Sequence, residues 1–209
     1  PIANDDDISL AEDGVFTFDP RVNDTDVEND VLTISGVGAA SNGLVTFTAT
    51  DVTYTPSADF NGADSFTYII TDGGANDVAT VVVTVTSIND VPSFTVGADQ
   101  LILEDAGAQT VIGHESALSA GPADEAAQTL SFIVSNDNNA LFSVQPIINA
   151  AGDLSFMSAL NANGVATVTV QIMDNGGILN GGVDTSASQT FTITVTAQND
   201  APIANDDSY

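Results

Sequence analysis

Apolar and polar residues alternate with a period of two along most of this chain. Val45, Phe47, Val52 and Tyr54 alternate with threonine, and Phe66, Tyr68, Ile70 and then Val81, Val83, Val85 do the same. Further on, Leu130, Phe132, Val134, then Val168, Val170, Ile172, then Phe191, Ile193, Val195 keep the alternation. Strand residues point alternately to opposite faces, so this period predicts β-strands with one face buried. Threonine and valine suit that setting. Asn-Gly pairs beginning at Asn42, Asn61, Asn163, Asn175 and Asn180 fall between the runs, where turns are needed. Many short strands at regular spacing predict an all-β fold of the sandwich kind. Only Glu115–Ala127 is rich enough in alanine to hold a helical turn, and Gly121-Pro122 interrupts it.

The pattern occurs twice. VVVTVTSINDVPS returns as FTITVTAQNDAPI, so Asn89, Asp90, Pro92 match Asn199, Asp200, Pro202. VTYTPSADFNGADSFTYIITDGG (52–74) lies on LSFMSALNANGVATVTVQIMDNGG (154–177). Tyr54 then falls on Phe156, Asp64 on Ala166 and Asp72 on Asp174, and LAEDG (10–14) roughly matches LEDAG (103–107). A repeat of this length predicts domains in series: a first over 1–90, a longer second over 91–201, and the opening of a third over 202–209. The segment Ile178–Ala187 is an insertion in the second copy, of a Gly-rich kind that is mobile more often than functional.

Charge narrows the partners. Acidic residues number 29 against a single basic one, Arg21, for a formal net charge of −28. Nucleic acid and anionic membrane surfaces bind through Lys and Arg, so both are excluded as partners. No apolar run has the length of a membrane span. A hydrophobic content of 43% is too high for an acidic disordered tail. The chain has no cysteine and one histidine, His114, which leaves no thiolate site and no basis for a zinc site. His114, beside Glu115 and Ser116, is expected at the surface. There is no Gly-x-Ser-x-Gly elbow for a serine nucleophile, and without tryptophan a sugar-stacking cleft is poorly supplied. The expectation is a protein that is not an enzyme.

The acids gather at strand ends: Asp5–Asp7, Glu12-Asp13, NDTDVEND (23–30), Asp59, Asp64, Asp72 and Asn89-Asp90. Strand ends converge at the poles of a sandwich, and like charges held close there repel by about 1 kcal/mol per pair even in water. Calcium relieves this, because it takes six to eight oxygens from Asp, Glu, Asn and backbone carbonyls. An EF-hand does not account for Asp24 and Asp26: Asn29 stands where glycine is needed and Ser35 where glutamate is. The nonapeptide calcium roll fails too, since Gly73-Gly74 has no repeating continuation.

PIANDD at the start, AEDG (11–14), NDTDVENDVLT (23–33), YTPSADFNGADSFTYIITDGG (54–74) and INDVP (88–92) carry a resemblance. Over nearly all of residues 1–92 the chain resembles a bacterial cadherin-like tandem repeat, of the kind found in large secreted and cell-surface adhesins. The second copy is similar to a longer variant with weaker acidic motifs. The resemblance implies two tandem Ig-like, cadherin-like Greek-key β-sandwiches, stiffened by Ca2+ at the junction of successive domains. For one junction it implies Glu12, Asp64 and the linker Asn89-Asp90 from the first copy, with Asp174 and Asp124 (beside Glu125) from the second. Asp24, Asp26 and Asp72 form a half-site toward a preceding domain, and Glu104, Asn199 and Asp200 one toward a following domain.

The implied function is a calcium-rigidified spacer in cell adhesion. It would lie in an extracellular bacterial protein, secreted or at the cell surface, with neighbouring repeats of the same chain as its partners and the isolated segment monomeric. The alternative is a calcium-dependent module that binds polysaccharide or mediates homophilic adhesion to another cell-surface protein.

Overall fold

A computed structural model describes residues 1–202; the expected third repeat, apart from Pro202, lies outside the described residues. The chain divides into two compact units, Pro1–Ile88 and a second beginning at Asn89. Both are β-sandwiches. No helix among the described residues is long and apolar enough to cross a membrane.

The first domain has seven strands: β1 (Asp6–Ala11), β2 (Phe16–Phe18), β3 (Thr33–Val37), β4 (Gly43–Phe47), β5 (Val52–Pro56), β6 (Gly62–Thr71) and β7 (Asn76–Thr86). They form a four-stranded sheet in the order β1-β7-β6-β3 and a three-stranded sheet in the order β2-β5-β4. The chain passes between the sheets after β1, β2, β3 and β5, which is the Greek-key arrangement. The alternation of the sequence becomes the core: Val52, Tyr54, Phe66, Tyr68, Ile70, Val81, Val83 and Val85 face inward. Burying such a side chain is worth about 1.5–3 kcal/mol.

The second domain repeats this plan and adds a two-stranded sheet. After β8 (Ser93–Thr95) come β9 (Gln100–Leu103), β10 (Ala108–Val111), β11 (Ser116–Ser119), β12 (Ser131–Asn136), β13 (Phe142–Ile148), β14 (Leu154–Ser158), β15 (Gly164–Met173) and β16 (Gln189–Thr196). The sheets run β12-β15-β16-β9 and β10-β14-β13, and the added β11 pairs with β8. Leu154, Phe156, Val168, Val170, Ile172, Phe191, Ile193 and Val195 fill its core.

The internal repeat is reproduced in register and in hydrogen bonding. Gly62 pairs with Val85 in the first domain, and Gly164 with Val195 in the second. The edge strands β1 and β9 run parallel to β7 and β16. The equivalences shift one part of the sequence alignment. Glu12-Asp13 corresponds to Glu104-Asp105, because Glu12 and Glu104 each receive a backbone bond from the stretch after the last strand, Ile88 and Gln198, at 2.6 Å.

Glu115–Ala127 holds the expected helical turn as a short 3-10 turn, Ala123–Glu125, directly after Gly121-Pro122, and its first part forms strand β11. One expectation is corrected. His114 is buried at 6% exposure. Its ring lies 4.4 Å from that of Phe191, with Nδ1 2.8 Å from Glu115 Oε1 and Nε2 3.0 Å from the Ala98 carbonyl.

Candidate metal centre

In the second domain, the linker residues Asn89 and Asp90 are bound by acidic and amide side chains. Asn89 Nδ2 donates to Asp174 Oδ1 at 3.0 Å and to the Val183 carbonyl at 3.0 Å, and its Oδ1 accepts from Gln128 Nε2 at 2.8 Å. The Asp90 N–H donates to Glu125 Oε1 at 3.0 Å. The insertion expected to be mobile is part of this arrangement: the Val183 N–H returns a bond to the Asn89 carbonyl, and Asp184 receives one from the Asp174 N–H.

Three side-chain oxygens of this group are buried with no hydrogen-bond partner: Glu125 Oε2, Asp174 Oδ2 and Gln128 Oε1. Glu125 and Asp174 are only 4% and 5% exposed. Burial raises the Glu125 carboxyl above its ordinary value; the bond from Asp90 opposes this, while the charges of Asp90, Asp124 and Asp174 raise it further. The backbone makes room for the packing. A Cβ on Gly121 would collide with Glu125 Oε2, and one on Gly176 with Asn89 Oδ1.

Asp124 and Glu125, the adjacent candidates in the sequence, have different surroundings. Of the adjacent pair, Asp124 is exposed and Glu125 is turned inward by the 3-10 turn. Gln128, also unforeseen, follows three residues later, one turn on.

The first domain places its acids at two poles. At one, Glu12 is 3% exposed. Its Oε1 takes the Ile88 N–H and its Oε2 is buried without a partner. Nearby, Asp13 and Asp59 bring carboxylate oxygens within 4.8 Å of each other. At the other pole, Asp26 Oδ1 accepts from the Glu28 and Asp30 N–H groups at 2.9 and 3.0 Å, and Asp72 Oδ1 from Gly74 and Ala75 at 2.6 and 2.7 Å. Their second oxygens lie 3.1 and 3.6 Å from the Pro1 nitrogen.

Asp64 and Asp24 serve the core. Asp64 accepts from the Ser41, Asn42 and Ser65 N–H groups and from the Tyr54 hydroxyl, at 2.8–3.1 Å. Burial acts to raise this carboxyl, yet the bonds from Asn42, Ser65, Tyr54 and Ser41 together hold it below its ordinary value. Its four acceptor positions are thereby used within its own domain. The missing acid at Ala166 then has another meaning. Phe156 replaces Tyr54 in the second domain, so hydroxyl and carboxylate are lost together and no buried polar group is stranded. Likewise, both oxygens of Asp24 lie within 3.1 Å of the Tyr68 hydroxyl, whose counterpart in β15 is Val170.

Asp6 gives this polar cluster a pH dependence. Burial pushes its carboxyl up to about 6, a bond from Tyr68 opposes, and Asp24, Asp5 and Asp7 raise it further. A carboxyl raised by folding favours the protonated native state. Its cost to stability is absent below pH 4, grows as pH rises, and is complete above about 6. In chelator, Asp6→Asn is expected to stabilise the first domain at pH 7 by about 1 kcal/mol, after allowing for solvent screening, and to have no such effect at pH 4. Urea unfolding of both proteins at the two pH values checks this; equal stabilisation at both would remove Asp6 titration as the cause.

The geometry fits what comparison with known proteins shows. Residues 1–86 match the family model described as Bacterial Ig domain. Among solved structures, a human protocadherin-24 EC1-2 fragment matches with TM-score 0.62 at 18% identity, over 91% of this chain and 95% of that one. Drosophila N-cadherin EC1-4 matches with TM-score 0.55 at 16% identity, over 93% of this chain and 49% of that one. Protocadherin gammaB7 EC3-6 matches with TM-score 0.51 at 19% identity, over 94% and 46%. No curated protein sequence matches the chain. At these identities the structural likeness establishes fold. The protein has an all-β fold, a tandem of Ig-like sandwiches like those of cadherin ectodomains, and its first domain is similar to the bacterial Ig domain.

Proposed function

We propose that this chain is a calcium-binding, non-enzymatic segment of an extracellular bacterial adhesion-type protein, in which Ca2+ stiffens the linker between successive repeats. The observation that carries the reading is the set of buried, unpartnered oxygens of Glu125, Asp174 and Gln128 around a linker held by the same side chains. A carboxylate oxygen buried without a donor costs several kcal/mol. The chain has no lysine, and its single arginine is bound to Asp19 at 2.8 Å in the first domain, so a cation from solution is the available remedy. The donors are all hard oxygens, which suits calcium.

In this reading Asp90, Glu125 and Asp174 supply carboxylate oxygens and Gln128 a carbonyl oxygen. Asn89 orients Asp174 and Gln128. Glu12, Asp13 and Asp59 offer oxygens in the first domain, and Asp26 and Asp72 form a separate pair. Asp64 and Asp24 act as core acceptors, and Asp124 adds charge beside Glu125. Stiffening follows from chain connectivity. Ile88 is held by Glu12, and Asn89 and Asp90 by the calcium-binding acids of the second domain, so an ion there limits the motion of the linker peptide groups.

Titration calorimetry with calcium and with magnesium tests the assignment. Wild-type protein is expected to bind calcium in the 10⁻⁴–10⁻³ M range of extracellular modules, with Glu125→Gln and Asp174→Asn each weakening it at least tenfold. Calcium heats that both variants leave unchanged would refute it.

A further inference from the structure

We infer that the residues added between β15 and β16 form a clamp that reads the carboxamide of the linker residue Asn89 and holds it to the second domain with no metal ion bound. The two domains together show where the addition lies. In the first, a tight turn joins β6 to β7: the Asp72 N–H donates to the Ala75 carbonyl at 3.4 Å, and Thr71 pairs with Asn76. In the second, the Asp174 N–H donates to the Asp184 carbonyl at 3.0 Å, and Met173 bridges to Thr185. Asp184 therefore stands where Ala75 stands, and the added residues are Gly177–Val183.

The addition changes what the turn aspartate holds. Asp72 Oδ1 is filled by its own turn, through the N–H groups of Gly74 and Ala75 at 2.6 and 2.7 Å. Asp174 Oδ1 keeps the first of these bonds, from the Gly176 N–H at 2.9 Å. Its turn is opened, and the second place goes to Asn89 Nδ2 at 3.0 Å. Val183, the last added residue, faces Asn89 with both backbone groups. Its carbonyl accepts from Asn89 Nδ2 at 3.0 Å, and its N–H donates to the Asn89 carbonyl at 2.9 Å. Gln128 Nε2 donates to Asn89 Oδ1 at 2.8 Å. Gly176 and Gly182 leave the room: a Cβ on the first would collide with Asn89 Oδ1, and one on the second would lie 3.0 Å from Asn89 Cβ. All these partners belong to the second compact unit.

The carboxamide is thereby matched atom by atom, with acceptors at its NH2 group and a donor at its oxygen. This selects asparagine. Aspartate would set a carboxylate oxygen against Asp174 Oδ1 and the Val183 carbonyl with no proton to offer either. Every bond is made by groups of the protein itself, so the clamp closes in chelator.

The test is NMR hydrogen exchange and urea unfolding of the whole 209-residue chain in chelator, with about 0.5 M sodium chloride to screen long-range repulsion. The Val183 N–H and the Asn89 Nδ2 protons are expected to be protected. Asn89→Asp should speed Val183 exchange by about tenfold and leave the amides of Val168, Ile172 and Ile193 in the core unchanged. It should also lower the urea midpoint of the second domain more than Asn89→Ala does. A side chain that only filled space would rank the two the other way, since aspartate has the shape of asparagine. Deleting Gly177–Val183 joins Gly176 to Asp184 and restores the closure that the first domain uses. The Asn89 Nδ2 protons should then exchange about tenfold faster. Protection that appears only with calcium, an alanine variant weaker than the aspartate one, or Nδ2 protons still protected after the deletion would overturn the clamp. No metal is present in these measurements, so failure of the clamp and failure of the calcium assignment are read separately.

Discussion

Calcium at about 10 mM, one hundred times a dissociation constant of about 10⁻⁴ M, is expected to raise the melting temperature of this protein by about 10 °C, and magnesium much less. An ion present at one hundred times its dissociation constant adds ~2.7 kcal/mol to the state that binds it. A domain of this size shifts by about 4 °C per kcal/mol. The effect should fade on acidification. The folded Glu125 carboxyl lies above its ordinary value, so without metal its ionised form costs stability, a cost that grows as pH rises through the raised value. Calcium requires that ionised form and removes the cost. The calcium increment must therefore be larger at pH 7 than at pH 5. Scanning calorimetry at both pH values, in chelator and in calcium, measures it. An increment that is absent, that Glu125→Gln leaves intact, or that grows toward acid would sink the metal reading.

Asp64→Ala should be among the most damaging single changes in the first domain, at about 3–5 kcal/mol. It strands the Ser41, Asn42 and Ser65 N–H groups and the Tyr54 hydroxyl, each a buried or half-buried donor. The second domain carries the compensated form of this site, phenylalanine opposite alanine. Adding Tyr54→Phe to Asp64→Ala should therefore recover about 1 kcal/mol or more, a coupling that a double-mutant cycle in urea isolates. Loss of calcium affinity with native stability retained would instead return Asp64 to the metal ligands.

Asp64 and Asp90 look alike in the sequence. Both are acids at strand ends in an acidic chain, and spacing alone does not say whether an oxygen meets a donor or a void. The coupled change of Tyr54 with Asp64 to Phe156 with Ala166 was visible in the repeat alignment, but its sense depended on knowing that β5 and β6 bring the hydroxyl and the carboxylate within 2.9 Å across the core. Asp124 and Glu125 show the same limit. Neighbours in sequence diverge by a large angle in a 3-10 turn, so one is exposed and the other buried. His114 reads as a surface residue in the sequence because it stands beside Glu115 and Ser116. It is buried because the added pairing of β11 with β8 brings it against Phe191.

The sequence by itself determined the strand period, the two-domain repeat and the inward residues of both sandwiches, because each follows from local geometry or self-similarity. It also determined that the acids collect at strand ends and that a cation rather than nucleic acid is the expected partner, while the grouping of Asn89, Asp90 and Asp174 came only as what the family resemblance implies. The tertiary structure alone decided which carboxylate oxygens have donors. That depends on contacts between residues far apart in the chain, Asp90 with Glu125 and Asn89 with Asp174 on one side and Asp64 with Ser41 and Tyr54 on the other. A buried oxygen without a donor differs from one fully hydrogen-bonded by several kcal/mol, and this difference separates the candidate calcium ligands from the acids that hold the core.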